Sequence, residues 1–88
     1  MTNKKTIWEF PCDFPIKVMG KATPEFEVFV LTTIRRHIPG LRENAIELRP
    51  SKKGNYLAIT VTVHAQSKEQ LDAIYQELTA NDLVLMAL

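Results

Sequence analysis

The run YLAITVTVHA, from Tyr56 to Ala65, decides the fold class of this chain. Apolar residues stand at every second position with small or polar residues between them, an alternation typical of a β-strand with one buried face. The inward set is predicted to be Leu57, Ile59, Val61, Val63 and Ala65. The outward set is predicted to be Tyr56, Ala58, Thr60, Thr62 and His64. We therefore expect a long strand with one core face and one half-polar face.

A shorter alternating run lies immediately upstream of this strand. In residues 44–49, Ile46 and Leu48 alternate with small or charged neighbours. Residues 50–55, Pro-Ser-Lys-Lys-Gly-Asn, are rich in turn formers. The two runs therefore predict a β-hairpin closed by a lysine-rich turn.

A further strand is predicted near the N-terminus, from Phe14 to Gly20. Its apolar positions alternate with Pro15, Lys17 and Met19, which we expect to point outward. The chain before it contains Pro11, and prolines at 11 and 15 oppose regular strand pairing. We therefore interpret residues 1–13 as an extended N-terminal arm and residues 14–88 as the folded domain.

Two helices complete the predicted elements. Thr23 followed by Pro24 supplies an N-cap and a first-turn proline, and the first helix should end before residues 39–40, Pro-Gly. Ser67 with Gln70 has capping-box spacing and begins the second helix. The apolar stripe of the first helix is Phe26, Val30, Ile34, His37 and Ile38. That of the second is Leu71, Ile74, Tyr75 and Leu78.

The last six residues, 83–88, are apolar at both parities, which predicts a strand buried on two sides. The order of elements is then βαββαβ. This order predicts an α+β fold, a ferredoxin-like α/β plait in which two helices cover one face of a four-stranded antiparallel sheet. The uncovered face is where function should be sought.

Composition excludes several classes of function. Eleven basic and ten acidic residues give a net charge of +1, which provides no general attraction for nucleic acid or anionic lipid. A single cysteine forms no internal disulfide and fits a reducing cytoplasm. No signal peptide and no membrane-spanning run is visible. We expect a soluble cytoplasmic domain without a membrane partner.

Catalytic and metal chemistry lack their usual patterns. Cys12, His37 and His64 are the candidate soft ligands or nucleophile partners, and they stand far apart in sequence. We therefore predict no catalytic residue, no metal and no cofactor. RNA binding through stacked bases would need several outward aromatic residues, and the predicted outward face offers only Tyr56, so a nucleic-acid partner is not favoured.

An interaction surface is the leading prediction. A domain of this size buries only about 60–65% of its unfolded surface, which favours stabilisation by a partner. Self-association or binding of another protein is one interpretation, and a small-molecule or anion site at the lysine-rich turn or the loop after Gly20 is the second. RNA binding that involves Tyr56 is a further alternative. The candidate residues are Lys17, Met19, Gly20, Lys52, Lys53, Gly54, Asn55, Tyr56 and His64.

Four strings carry a family resemblance: FPIKVMG at residues 14–20, RHIPG at 36–40, PSKKGNY at 50–56 and VLMAL at 84–88. Together they resemble the YbeD-like bacterial family, over nearly the whole chain after residue 8. The resemblance implies a small cytoplasmic protein of unassigned function. It also implies a fold similar to the ACT-type regulatory domains that sense amino acids where two domains pair. It implies no catalytic or ligand-binding residue.

Overall fold

The computed structural model describes residues 10–88. Its elements follow the predicted βαββαβ order and confirm the α+β fold class. A single 3₁₀ turn, Glu43–Ala45, precedes the second strand. The strands are β1 (Cys12–Lys21), β2 (Ile46–Pro50), β3 (Tyr56–Ala65) and β4 (Val84–Ala87), and the helices are α1 (Pro24–His37) and α2 (Lys68–Thr79).

The four strands form one antiparallel sheet in the order β2-β3-β1-β4. Its centre is a ten-residue ladder between β1 and β3, which runs from Cys12 opposite Ala65 to Lys21 opposite Tyr56. The chain segments that alternate most clearly in sequence therefore lie beside each other. The shorter strands β2 and β4 form the two edges.

Strand β1 begins at Cys12, two residues before the start predicted from the sequence, and continues through Pro15. Pro15 lies opposite Thr62, yet its missing N–H costs the central ladder nothing. Lys17, two positions further along, exchanges backbone hydrogen bonds with Leu88 on the opposite side of β1 from β3. By alternation, the backbone groups of Pro15 also point away from β3. Residues 1–9 of the predicted arm lie outside the described residues.

Both helices begin with the side-chain caps that the sequence predicts. Thr23 Oγ1 accepts a hydrogen bond from the Phe26 N–H at 3.2 Å, and Ser67 Oγ accepts one from the Gln70 N–H at 3.1 Å. The Gln70 side chain accepts from the N–H of Gln66 rather than from that of the cap itself. These local bonds satisfy backbone donors that have no partner within the helix.

The helices bury one face of the sheet. Phe26 of α1 is the largest fully buried side chain, and Thr33 is a buried polar residue that the predicted stripe did not include. His37, predicted to lie on the stripe, is only half-buried at the helix end. The core consists of Ile16, Val18, Phe26, Val30, Ile34, Ile38, Ile59, Val61, Val63, Ala65, Leu71, Ile74 and Leu78.

An ion cluster ties the end of α1 to α2. His37 Nε2 donates to Glu77 Oε2 at 3.1 Å, and Arg36 approaches the other carboxylate oxygen at 3.0 Å. The hydrogen bond from His37 holds the pKa of the Glu77 carboxyl below its ordinary value of 4.5, and the charge of Arg36 adds to the effect. The ionised carboxylate is therefore favoured in the folded state.

Replacing Glu77 with glutamine should make unfolding less sensitive to acid. Because the folded-state pKa is lowered, the stabilisation is fully present above the unfolded-state pKa and is lost as pH falls through the folded-state value. Urea midpoints measured between about pH 6 and about pH 3 should fall less steeply in Glu77→Gln than in the unsubstituted protein. Glu43→Gln is the control, since Glu43 is exposed and outside the ion pairs found in residues 10–88. Equal slopes for all three proteins would contradict the role of Glu77.

The predicted two-sided burial of the last strand is wrong. Leu85 is 58% exposed, Met86 48% and Leu88 62%. The physical reason is the position of β4, which is an edge strand with one neighbour, β1. Within residues 10–88, no helix or strand packs on the sheet face opposite α1 and α2. The hydroxyl of Tyr75 donates to the Leu88 carbonyl at 2.6 Å and attaches the end of this strand to α2, and burial raises the pKa of Tyr75.

Candidate interaction surface

The sheet face opposite the helices, hereafter the open face, brings together side chains from all four strands. Met19 lies opposite Ala58 on one side and Met86 on the other, and Lys17 lies opposite Thr60. The open face thus unites candidate residues that are about 40 positions apart in the sequence. Its members are Asp13, Pro15, Lys17, Met19, Lys21, Glu47, Arg49, Tyr56, Ala58, Thr60, Thr62, His64, Met86 and Leu88.

A groove runs along β3 because the side chains on its floor are small. Ala58 and Thr60 lie between the longer side chains of β2 and β1. Two adjoining cavities share Ala58 and Arg49. The first, of about 210 Å³, is mostly apolar and is lined by Met19, Arg49, Pro50, Ser51, Tyr56, Leu57 and Ala58. The second, of about 260 Å³, is lined by Lys17, Glu47, Arg49, Ala58 and Thr60.

A polar cleft of about 380 Å³ lies at the far end of β3, between the sheet and residues 38–45. The strand ladder places His64 opposite Asp13, and the imidazole Nδ1 is 2.9 Å from Asp13 Oδ1. Arg42 and Asn44 also line the cleft. The cleft therefore combines a guanidinium, a carboxylate and an imidazole whose orientation is fixed by the carboxylate. Both members of the His64–Asp13 pair are largely exposed, so the pair contributes little to stability.

The lysine-rich turn is explained by its own conformation. Gly54 has a φ of 77°, which favours glycine, and its N–H donates to the Ser51 carbonyl. The Ser51 N–H donates to the Tyr56 carbonyl, and the Ser51 hydroxyl accepts a hydrogen bond from the Tyr56 N–H. Lys52 and Lys53 are exposed. The backbone N–H groups of Ser51, Gly54 and Tyr56 are therefore hydrogen-bonded within the turn and are not available to an anion.

Gly20 and the loop after it lie apart from the open face. Gly20 is buried, and the backbone carbonyl of Asn55 accepts a hydrogen bond from Ala22. The N-terminus of α1 is capped by Thr23 and carries Glu25 and Glu27 in its first turn. Two carboxylates at this position oppose the binding of an anion.

The two edges of the sheet differ in character. Strand β2 carries Glu47 and Arg49, whose side chains lie 3.4 Å apart, and it ends at Pro50. The segment Val84–Leu88, hereafter the β4 edge, has no charged residue and exposes three large apolar side chains. In the sequence, this edge is marked by its run of apolar residues, which predicts a strand buried on both faces.

Three further observations concern metal binding, base stacking and membrane crossing. Across residues 10–88, no group of three or more His, Cys, Asp and Glu side chains could hold a metal ion. Tyr56 is the single aromatic residue on the open face within this range. No helix among these residues is both long and apolar enough to cross a membrane.

The comparisons with known proteins agree with this architecture. The profile of a bacterial family described as a protein of unknown function (DUF493) matches residues 5–88. The chain belongs to this family. The YbeD-like resemblance predicted from the four strings is thereby confirmed. The description of the family assigns no activity.

Two curated relatives illustrate the family. A UPF0250 protein of Neisseria meningitidis serogroup A is 51% identical over 86 residues, covering 98% of this chain and 94% of the relative. A UPF0250 protein of Paraburkholderia phytofirmans is 48% identical over 84 residues, covering 96% and 94% respectively.

Two solved structures share the fold. The solution structure of protein HP0495 from H. pylori superposes with a TM-score of 0.72 and 17% identity, covering 97% of this chain and 89% of that one. The C-terminal domain of the MgtC protein from Mycobacterium tuberculosis gives a TM-score of 0.63 and 17% identity, covering 93% and 89%. At this identity the likeness establishes the fold alone.

Proposed function

We propose that this chain is a non-enzymatic, cytoplasmic protein-interaction module with an ACT-like regulatory role, and that it associates through the β4 edge. The observation that carries the proposal is the exposure of Leu85, Met86 and Leu88 on an edge strand without a charge or a proline. An apolar edge strand presents unpaired backbone groups beside apolar side chains, which favours pairing with another strand.

The contrast with the other edge strengthens the argument. Strand β2 has charged side chains and a terminal proline, the features by which natural sheets avoid pairing edge to edge. Strand β4 has an irregular register beside Met19 and Gly20, but it has no charged side chain and no proline, so it is protected less than β2. If the exposed apolar side chains of β4 had no binding partner, they would favour aggregation, which the charged side chains of β2 oppose at the other edge.

Replacing Met86 with lysine should abolish this association. Size-exclusion chromatography with light scattering, run over a dilution series, should show the mass of the unsubstituted protein rising with concentration. Met86→Lys should stay monomeric over the same range, because the charge would lie at the centre of the paired edge and weaken association by at least about tenfold. Leu48→Lys is the matched control, since Leu48 is 45% exposed on β2. The proposal would be overturned if the unsubstituted protein had the mass of a monomer at every concentration, or if Met86→Lys had the same mass as the unsubstituted protein throughout.

A small-molecule or anion sensor is the second candidate, favoured by the polar cleft that contains Arg42 and the His64–Asp13 pair. Cationic and anionic groups on opposite walls suit a small ligand with charges of both signs or with a carboxylate. A thermal-shift screen of amino acids, nucleotides and phosphate esters should then reveal stabilisation that Arg42→Ala removes and Lys53→Ala leaves unchanged. If no ligand stabilises the protein at saturating concentration, the result counts against a sensor. If Lys53→Ala removes the stabilisation and Arg42→Ala does not, the ligand binds at the lysine-rich turn instead.

A further inference from the structure

We propose that the open face around Ala58 binds an acidic segment of another protein. One large apolar side chain of that segment would occupy the cavity above Ala58, and its carboxylates would lie beside the surrounding lysines and Arg49. This surface is on the face of the sheet and not at its edge, so the inference does not depend on association through β4.

A row of side chains across the sheet forms the apolar cavity. Ala58 lies opposite Arg49 of β2 on one side and opposite Met19 of β1 on the other. The small side chain of Ala58 leaves a depression between these two long ones, and Tyr56, which is 46% exposed, lines one end. None of the described residues that line this cavity of about 210 Å³ is acidic. The cavity therefore suits one aromatic or other large apolar side chain, the kind of anchor that dominates the energy of protein interfaces.

Lysine side chains surround this cavity. Lys17 and Lys21 are exposed and flank the β1 residue that lines it, and Lys52 and Lys53 are exposed in the adjoining turn. None of these four lysines takes part in an ion pair within the part of the chain that the structure describes. Their charges are therefore available to carboxylates of a partner.

Glu47 is the carboxylate of the open face that lies near these cations, and it is weakly held. Its Oε2 atom is 3.4 Å from the Arg49 guanidinium, and both side chains are mostly exposed to solvent. An exposed ion pair of this kind contributes little to stability. Arg49 can therefore exchange Glu47 for a carboxylate of the partner.

The spread of the positive charges favours a protein segment over a small ligand. Lys17 and Lys21 are four residues apart on one strand, which places them about 13 Å apart along it. A small anion reaches one of these side chains at a time. A chain segment with carboxylates on both sides of an apolar anchor reaches both while the anchor occupies the cavity.

The same features disfavour two other occupants of this surface. A second copy of this chain would bring its own lysines against these, and like charges placed across an interface oppose association. A nucleic acid would need several aromatic side chains on which its bases could stack, and Tyr56 is the single one on the open face within residues 10–88. Glu47 would also repel its phosphates. An acidic protein segment matches both the charge and the cavity.

A peptide titration of the full chain, followed in amide NMR spectra, tests the proposal. The probe is a synthetic peptide of about nine residues in which aspartates and glutamates flank one central phenylalanine, so that it spans both lysines of β1. We expect chemical-shift changes concentrated in residues 17–21 and 51–58, and binding that weakens as added salt screens the charges. Replacing the phenylalanine of the peptide with alanine should weaken binding about tenfold, because the cavity then receives no anchor.

Two variants of the protein separate the charge from the cavity. Lys21→Glu should weaken binding of the peptide about tenfold. Arg35→Glu makes the same change in net charge at an exposed position of α1 and should alter binding less than about twofold. Ala58→Leu should fill the cavity and weaken binding about tenfold, whereas Thr62→Leu, on the same face of β3 but outside the cavity, should not. The dispersion of the amide spectrum shows whether each variant is folded.

The proposal would be overturned if the peptide caused no shifts at millimolar concentration, or if the shifts lay on the helices or along the β4 edge. Equal weakening by Arg35→Glu and Lys21→Glu would contradict it as well, since the peptide would then respond to net charge alone. Equal binding of the phenylalanine and alanine peptides would remove the apolar anchor. If a single-stranded oligouridylate bound the same residues more tightly than the peptide, the surface would belong to a nucleic acid instead.

Discussion

Replacing Gly20 with alanine should destabilise the fold by about 3 kcal/mol, although only one methyl group is added. A Cβ built on Gly20 would lie 2.5 Å from the Leu83 carbonyl oxygen and 2.5 Å from the Phe26 Cε1 atom. The first contact is with backbone, which cannot turn aside as a flexible side chain can. The added atom would therefore displace the chain that leads into β4 and the largest side chain of the core.

Urea unfolding followed by circular dichroism would measure this loss. Gly40→Ala is the matched control, because nothing lies within 4 Å of a Cβ at Gly40, and its effect should stay within about 0.5 kcal/mol. If Gly20→Ala unfolds at the same urea concentration as the unsubstituted protein, the close approach at Gly20 has been misjudged.

Replacing Phe26 with alanine should cost about 4 kcal/mol, the largest loss expected of any single truncation in this chain. Phe26 is fully buried and is the largest residue of the core. A domain of 88 residues has only about 4–13 kcal/mol of stability in total, so Phe26→Ala should leave a measurable unfolded population in the absence of denaturant.

Phe29→Ala provides the matched control on the same helix. Phe29 is partly buried at the margin of the core, so its truncation should cost roughly half as much. Equal losses at the two positions would contradict the assignment of Phe26 to the centre of the core. Combining Gly20→Ala with Phe26→Ala should cost less than the sum of the two, because the ring that collides with the new methyl group is gone.

Local physics explains why most of the fold could be predicted. The alternation in Tyr56–Ala65 reflects a two-residue period that any half-buried strand imposes, whatever lies beside it. Thr23 and Ser67 satisfy backbone donors within three residues of themselves. Gly54 is needed by a turn that closes over four residues. Each signal is contained in a short segment and is therefore visible in the sequence.

The side-chain directions on the open face could also be predicted from a local pattern, but the contacts between its strands could not. Met19, Lys17 and Tyr56 were predicted to point outward from parity alone, and the structure places them on one face. Alternation along a strand shows which way a side chain points but not which residue of the neighbouring strand lies opposite it. The pairing of Met19 with Met86 and that of His64 with Asp13 therefore could not be predicted. The polar cleft depends on such long-range neighbours and was missed.

The amino-acid sequence by itself determined the six elements, their caps, the lysine-rich turn and the outward parity of the open face, because these follow from periodicity and hydrogen bonds between near neighbours. Only the tertiary structure decided which strands became edges. An apolar run such as residues 83–88 is equally suited to a strand between two layers and to an unprotected edge, because burial depends on what packs beside it. The sheet order β2-β3-β1-β4 leaves this run with one neighbour and exposes Leu85, Met86 and Leu88.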